Sequence, residues 1–139
     1  MHTNYTNQNI NKDNERLIYP ELSFALTGIL FNVHNSLGRY AREKQYGDML
    51  ETQLKNAGLN FVREYRVGTS GNIIDFVVEQ KIVLEIKAMD SIAREDYYQT
   101  QRYLQSTKLK LGFLVNFRNR YLKPVRVVRI DTSSRLKYN

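Results

Sequence analysis

The stretch of sequence that decides the fold runs from Asn72 to Ala88 and reads NIIDFVVEQKIVLEIKA. Two runs of apolar, mostly β-branched residues flank a short polar segment, which is the pattern of two strands joined by a hairpin loop. Each run carries charge where a buried strand should carry none, with Asp75 in the first and Glu85 and Lys87 in the second. Because successive side chains of a strand point to opposite faces, Glu85 and Lys87 are expected to share one face and their apolar neighbours the other.

The length of the hairpin loop decides whether Asp75 joins the charged face. A two-residue loop would place Asp75 opposite Leu84, on the wrong face of the sheet. A three-residue loop formed by residues 79–81, or a bulge, would instead place Asp75 opposite Glu85, with Cβ atoms roughly 4.5 to 5.5 Å apart.

Two carboxylates at that separation repel each other and need a cation. Converging oxygen ligands with open positions suit Mg²⁺ or Mn²⁺, and a neighbouring lysine can orient or activate a water molecule or stabilise an oxyanion. The alternative is that Glu85 and Lys87 form the solvated face of an ordinary amphipathic strand. The rest of the sequence is needed to choose between a metal site and a solvated face.

The composition is that of a basic globular domain. The chain has 139 residues, enough for one core and too few for two. It has no Cys and two His, which excludes a disulfide framework, a zinc ribbon, a thiol nucleophile and a multi-His metal site. No apolar run approaches the roughly 18 residues of a membrane span, and the N-terminus is polar, so we expect a cytoplasmic protein without a signal peptide.

The charge balance favours a polyanionic partner. The chain has 21 Lys and Arg against 14 Asp and Glu, a net charge of +7, and 10 Tyr. Lys and Arg neutralise phosphates and aromatic faces stack on bases, although net charge alone could equally serve solubility. A basic surface around a carboxylate cluster is more informative, since it describes a site that holds a phosphodiester and brings a metal to it.

The periodicity outside the hairpin predicts further elements. Apolar residues recur at helical spacing in three segments, 20–37, 43–56 and 92–106. Ser91 is the expected cap of the third helix. In addition to the hairpin, apolar runs predict strands at 60–68, 111–117 and 125–130. The expected order is ααβββαββ in a single domain of residues 17–131, with a disordered polar tail at 1–16 and a polar tail at 132–139.

The helices carry further candidate residues. Glu43 starts the second helix one turn before Tyr46, on the core side, although a first-turn Glu can simply favour the helix dipole. The third helix presents Gln99 and Tyr103 on one face. His34 lies beside the apolar stripe of the first helix, where the default interpretation is a core-edge histidine with a satisfied partner.

A group of basic residues surrounds the connection between the last two strands. We expect these side chains to contact phosphates rather than bases. They are Arg118, Arg120, Lys123, Arg126 and Arg129.

Taken together, these residues resemble the PD-(D/E)xK nucleases, and specifically the small bacterial family named for a GxxExxY motif. The resemblance covers roughly residues 21–117. The matching segments are a His-containing first helix at 33–38, the ExxY of Glu43 and Tyr46, a catalytic Asp75 with Glu85-Ile86-Lys87, the QxxxY of RecB-like nucleases at Gln99 and Tyr103, and a closing strand at 109–117.

The resemblance implies an α/β fold of the restriction-endonuclease type, a mixed central β-sheet flanked by helices. Asp75 and Glu85 would ligate Mg²⁺ or Mn²⁺, with the backbone carbonyl of Ile86 as a further ligand and Glu43 bound directly or through water. Lys87 would hold the attacking water or the scissile phosphate. The activity would be hydrolysis of phosphodiester bonds in nucleic acid, with DNA favoured over RNA.

Other implied features are less specific. Gln99 and Tyr103 would position the site or the strand, His34 is compatible with a metal ligand of RecB-like relatives, and a small nuclease that cuts duplexes could be a homodimer. Tyr40 departs from the family, which usually has Gly three residues before the Glu, so the loop that places Glu43 can differ. The alternative function is a non-catalytic module that keeps the fold and binds nucleic acid or another partner.

Overall fold

A mixed five-stranded sheet with helices on both faces forms the described part of the protein, residues 18–130 of a computed structural model. The predicted tails at 1–16 and 132–139 lie outside the described residues. Helices α1, α2 and α3 span Pro20–Leu37, Glu43–Asn56 and Arg94–Thr107. Strands β1 to β5 span Phe61–Val67, Asn72–Val78, Ile82–Lys87, Leu111–Asn116 and Val125–Val128. The order ααβββαββ is the predicted one.

The strands lie in the sheet in their chain order, β1-β2-β3-β4-β5. Neighbours are antiparallel except β3 and β4, which are parallel and are joined by the crossover helix α3. A parallel pair needs such a crossover, because its second strand must start at the same end of the sheet as the first. The mixed sheet flanked by helices confirms the expected fold class.

Two apolar cores lie on the two faces of this sheet. Helices α1 and α2 cover one face, where Leu30 and Leu50 pack against Leu84. Helix α3 covers the other face, where Leu104 packs with Val83. Full burial of each such side chain contributes roughly 1.5 to 3 kcal/mol. The strand β3 therefore buries residues on both faces, which leaves little room for charge.

The hairpin between β2 and β3 has the register that the three-residue loop predicts. Phe76 pairs with Leu84, and Val78 pairs with Ile82. Residues 79 and 80 both have a φ of 54°, in the left-handed region that Glu and Gln rarely adopt. The loop thereby sets Asp75 opposite Glu85.

In β1 and β2, the alternation of side chains between the two faces of the sheet is broken at Glu64. In β1, Phe61 packs against the core under α1 and α2, whereas Tyr65 packs against the core under α3. The same change separates Phe76 from Ile74 in β2. Residues an even number of positions apart normally share a face, and the φ of 55° at Glu64 breaks that alternation. The regular ladder is therefore interrupted at the level of the carboxylates.

The N-terminus of α3 differs from the prediction. The helix begins at Arg94 with Ala93 as its cap residue, so the expectation that Ser91 caps it is wrong. The Asp96 carboxylate accepts a hydrogen bond of 2.8 Å from the Ala93 backbone N–H. An acidic residue in the first turn takes over the capping function, and the helix starts later than its periodicity suggests.

No helix within residues 18–130 combines the length and the apolar character that crossing a membrane requires.

Tyr46 joins the loop before α2 to the core. Its ring is buried and stacks on Phe117 with ring centroids 4.2 Å apart. Its hydroxyl donates a hydrogen bond to the Gly38 carbonyl and accepts one of 3.2 Å from the Ala41 N–H. This residue therefore fixes the path of the chain into the helix that carries Glu43.

We expect Tyr46→Phe to lower the free energy of unfolding by about 1 to 3 kcal/mol, because it leaves two backbone groups without their partner. Urea denaturation followed by circular dichroism measures the change. The matched control is Tyr40→Phe at an exposed ring of the same loop, which should change stability by less than about 0.5 kcal/mol. Equal stability of the Tyr46→Phe variant and the wild type would show that the loop does not depend on this hydroxyl.

Candidate active site

Asp75 and Glu85 meet where the ladder between β2 and β3 is interrupted. The Asp75 N–H donates to Glu85 Oε1 at 3.0 Å, and the Ile86 N–H donates to Asp75 Oδ2 at 2.8 Å. Each carboxyl group also affects the pKa of the other. Side chains thus replace the backbone ladder at this level, and the carboxylate pair is built into the sheet.

The environment of the pair disfavours two negative charges. Glu85 is 4% exposed. Burial, and then the charge of Asp75, raise the pKa of Glu85 to about 8. Burial also raises the pKa of Asp75, and the Glu43 charge acts in the same direction, while the Ile86 N–H and the Lys87 charge act against it. The pair alone therefore favours binding of a proton, and a bound cation would take the place of that proton.

A cleft of about 590 Å³ reaches the Asp75 side of the pair. Its wall includes Asp75 and Ile86 from the sheet, Glu43 from the start of α2, and Glu64 from β1. Glu64 was not singled out from the sequence. Its position opposite Asp75 depends on the pairing of β1 with β2, for which the sequence carries no local signal.

The donor atoms of the carboxylate pair and of the adjoining cleft are of the kind that hard divalent cations prefer. They comprise the carboxylates of Asp75 and Glu85, the carbonyl of Ile86 and, across the cleft, the carboxylate of Glu43. Within residues 18–130, no three acidic or histidine side chains converge closely enough to hold a metal ion by themselves. Metal binding here would therefore use water ligands as well, as Mg²⁺ commonly does.

Lys87 shares a face with Glu85, and its ammonium group pairs with Asp96. The distance from Lys87 Nζ to Asp96 Oδ1 is 3.7 Å, and both side chains are largely buried. Asp96 therefore has two partners, the ammonium group and the Ala93 N–H that it caps. Asp96 was missed in the sequence, although its place three residues after Ala93 is that of the acidic residue in a capping box.

Tyr103 lies on the side of the sheet that Glu85 faces. Its hydroxyl donates to the Ile73 carbonyl at 3.4 Å. Burial raises the pKa of Tyr103, and the charges of Glu85 and Asp75 add to this effect. Gln99 is half-buried one turn earlier on α3. The structure thus brings Tyr103 close to the carboxylate pair.

His34 lies at the contact between α1 and the loop after β4. Its Nε2 is 2.9 Å from the Asn119 carbonyl oxygen, and its ring lies 6.2 Å from that of Phe117. It has the backbone partner that is typical of a core-edge histidine.

The basic residues near the C-terminal strands fall into two groups. Arg118, Arg120 and Lys123 lie in the loop between β4 and β5. Arg126 and Arg129 lie on or directly after β5, where their guanidinium groups donate to backbone carbonyls at Ile18 and Lys108. Arg126 and Arg129 therefore have backbone partners outside the loop that carries the other three.

Comparison with known proteins identifies the class. The family model that describes the PD-(D/E)XK nuclease superfamily matches residues 20–130 of the sequence. Because this match spans most of the sequence, the chain belongs to the PD-(D/E)XK nuclease superfamily. The crystal structure of a protein named SSO0001 is similar over 81% of this chain and 70% of that one, with a TM-score of 0.46 and 20% identity. No curated protein matches this chain significantly.

We expect the stability of the protein in EDTA to fall as the pH rises from 4.5, the ordinary pKa of Glu85, to about 8, its value in the fold. Across this window the folded state binds more protons than the unfolded state, so the free energy of unfolding decreases with pH. For one proton the slope is at most roughly 1.4 kcal/mol per pH unit. Urea denaturation at closely spaced pH values measures it.

The variant Glu85→Gln removes the titrating group with little change of shape, and it should flatten the pH dependence in this window. Glu95→Gln, at an exposed carboxylate in the first turn of α3, is the control and should keep the wild-type slope. A Glu85→Gln variant with an unchanged slope would assign the pH dependence to other groups.

Proposed function

We propose that this protein is a metal-dependent nuclease that hydrolyses phosphodiester bonds, with DNA as the favoured substrate. The observation that carries this proposal is the buried pair of Asp75 and Glu85 at an interruption of the sheet, followed by Lys87 on the same face. Burying two carboxylates together is unfavourable unless a proton or a cation binds between them. Membership of a nuclease superfamily supports the cation.

In this proposal Mg²⁺ or Mn²⁺ is held by Asp75, Glu85 and the carbonyl of Ile86, with Glu43 bound directly or through water. When bound, the ion supplies activation of water and neutralisation of charge on the phosphate. The carboxylates fix its position, because the Asp75 and Ile86 N–H groups hold one oxygen of each carboxylate in place.

Lys87 acts on the water or on the scissile phosphate. A protonated ammonium group cannot ligate a cation, but it can donate hydrogen bonds to the negative charge that develops on phosphate oxygens. Asp96 restrains that ammonium group beneath α3, and the 3.7 Å ion pair leaves it N–H groups for a second partner. Asp96 is therefore a positioning residue, and Gln99 and Tyr103 position the site or the strand from the same helix.

The nucleic-acid backbone is held by the basic residues. Arg118, Arg120 and Lys123 extend from the loop after β4, and we include Arg126 and Arg129 on the β5 side. We also assign the chain to the small family named for the GxxExxY motif. Glu43 on the cleft and Tyr46 as the anchor of the preceding loop support that assignment.

We expect Asp75→Asn and Glu85→Gln each to lower the rate of Mn²⁺-dependent cleavage by roughly 100-fold or more, because each removes a charge that holds the ion. A panel of labelled single-stranded and duplex DNA and RNA measures cleavage by wild type and variants. Glu21→Gln, at an exposed carboxylate in the first turn of α1, is the control.

Metal binding itself is tested by thermal unfolding. Mn²⁺ that binds the native state stabilises it by RT ln(1 + [L]/Kd), and this stabilisation should shrink in both carboxylate variants. Cleavage at the wild-type rate by either variant would exclude this site. A protein that Mn²⁺ does not stabilise and that cleaves none of the nucleic acids in the panel would be the non-catalytic module.

We expect Lys87→Met to abolish cleavage while Mn²⁺ still binds, because the ammonium group lies beside the carboxylates and does not ligate the ion. Calorimetric titration with Mn²⁺ and a cleavage assay on the same preparation separate the two effects. Loss of both would make Lys87 a structural counter-ion for the carboxylates.

Asp96→Asn is the companion variant. It retains an oxygen to cap α3 but loses the charge that pairs with Lys87. Cleavage should fall by a smaller factor than in Lys87→Met, and Asp96→Glu should recover part of it. A normal rate in Asp96→Asn would show that the ion pair does not position Lys87.

A further inference from the structure

Two loops that are distant in sequence contact each other beside the candidate active site. Residues 38–42 connect α1 to α2, and residues 117–124 connect β4 to β5. Arg39 Nε donates to the Arg118 carbonyl at 2.8 Å, and Arg118 Nε donates to the Arg39 carbonyl at 2.9 Å. This reciprocal pair fixes both guanidinium groups while using one N–H of each.

The same contact displays an aromatic ring to solvent. The Tyr40 side chain is 74% exposed, and the guanidinium carbons of Arg39 and Arg118 lie 5.1 and 5.5 Å from its ring centroid. On the second loop, Tyr121 is 77% exposed, with the Arg120 guanidinium 5.4 Å from its ring centroid. Two exposed tyrosines thus each have a cation close to the ring.

We call this area the basic-aromatic surface. It comprises Arg39, Tyr40, Arg118, Arg120, Tyr121 and Lys123. Asp90 lies beside this surface, with its Oδ1 4.0 Å from a terminal nitrogen of Arg118. That separation is at the limit for an ion pair, so the surface keeps its positive charge.

The basic-aromatic surface adjoins the catalytic groups. The loop at 38–42 leads directly into Glu43 at the start of α2. On the other side, the Phe117 N–H donates to the Lys87 carbonyl at 2.9 Å, and Arg118 is the next residue. A polyanion bound on this surface can therefore continue into the cleft between Glu43 and Asp75.

We propose that the basic-aromatic surface binds unpaired nucleotides, with the arginines on phosphates and Tyr40 stacked on a base. This inference rests on the proposed nuclease function, which explains why the bound nucleic-acid strand leads to the cleft. Guanidinium groups alone would suffice for a duplex, which offers phosphates and keeps its base faces covered by stacking. An exposed tyrosine among them fits a strand whose bases are unstacked.

An acidic protein surface is the competing partner. It would pair with Arg39, Arg118 and Arg120, but it offers no base for the ring of Tyr40 to stack on. Its binding would therefore tolerate loss of the ring, which makes the ring the discriminating group.

The test is fluorescence anisotropy in EDTA with labelled single-stranded DNA, single-stranded RNA of the same sequence, and duplex DNA of the same length. Single strands should bind more tightly than the duplex. Tyr40→Leu should weaken single-strand binding by roughly 5- to 150-fold, the range for loss of one base–aromatic stack. Tyr40→Phe should bind like the wild type, because it keeps the aromatic face.

Phe24→Leu is the matched control, since it replaces an exposed aromatic residue on α1 outside the surface. Thermal unfolding verifies that each variant is folded. Single-strand affinity unchanged in Tyr40→Leu, or equal losses for single strand and duplex, would overturn the inference. EDTA prevents metal-dependent cleavage, so a failure here leaves the nuclease proposal standing, and an inactive protein can still show the tyrosine-dependent binding.

Discussion

The burial of two carboxylates side by side at one level of a β-sheet is the constraint on which the rest of this structure depends. Asp75 and Glu85 accept hydrogen bonds from backbone N–H groups where the ladder between β2 and β3 stops. Burial and mutual repulsion raise the pKa of Glu85 to about 8. The pair therefore favours binding of a positive charge, either a proton or a cation, and the surrounding elements determine which of them reaches it.

Each element near the pair contributes a different group to the site. Helix α2 brings Glu43 to the cleft, and its entry is held by the buried hydroxyl of Tyr46. Helix α3 covers the other face, where Asp96 holds the ammonium group of Lys87. The crossover from β3 to β4 requires a helix in this position, so the same topology that makes the strands parallel also supplies the partner of the lysine.

The cleft and the adjoining loops differ in charge. Glu43, Glu64 and Asp75 lie on the wall of the cleft, while Arg39 and Arg118 lie on two loops joined by reciprocal hydrogen bonds. A phosphate chain is repelled by the carboxylates and attracted by the loops, so its backbone can be held by the loops while a cation neutralises the cleft. This division of charge explains how a basic protein can contain an acidic site.

The sequence alone determined the features that depend on short-range geometry. Strand alternation placed Glu85 and Lys87 on one face, and helical periodicity gave the element order, because both depend on neighbours a few residues apart. The hairpin was left with two registers, and the tertiary structure chose the one that places Asp75 opposite Glu85. Only the tertiary structure decided that Asp96 pairs with Lys87 and that Arg118 contacts Arg39, because contacts between distant segments leave no local periodicity.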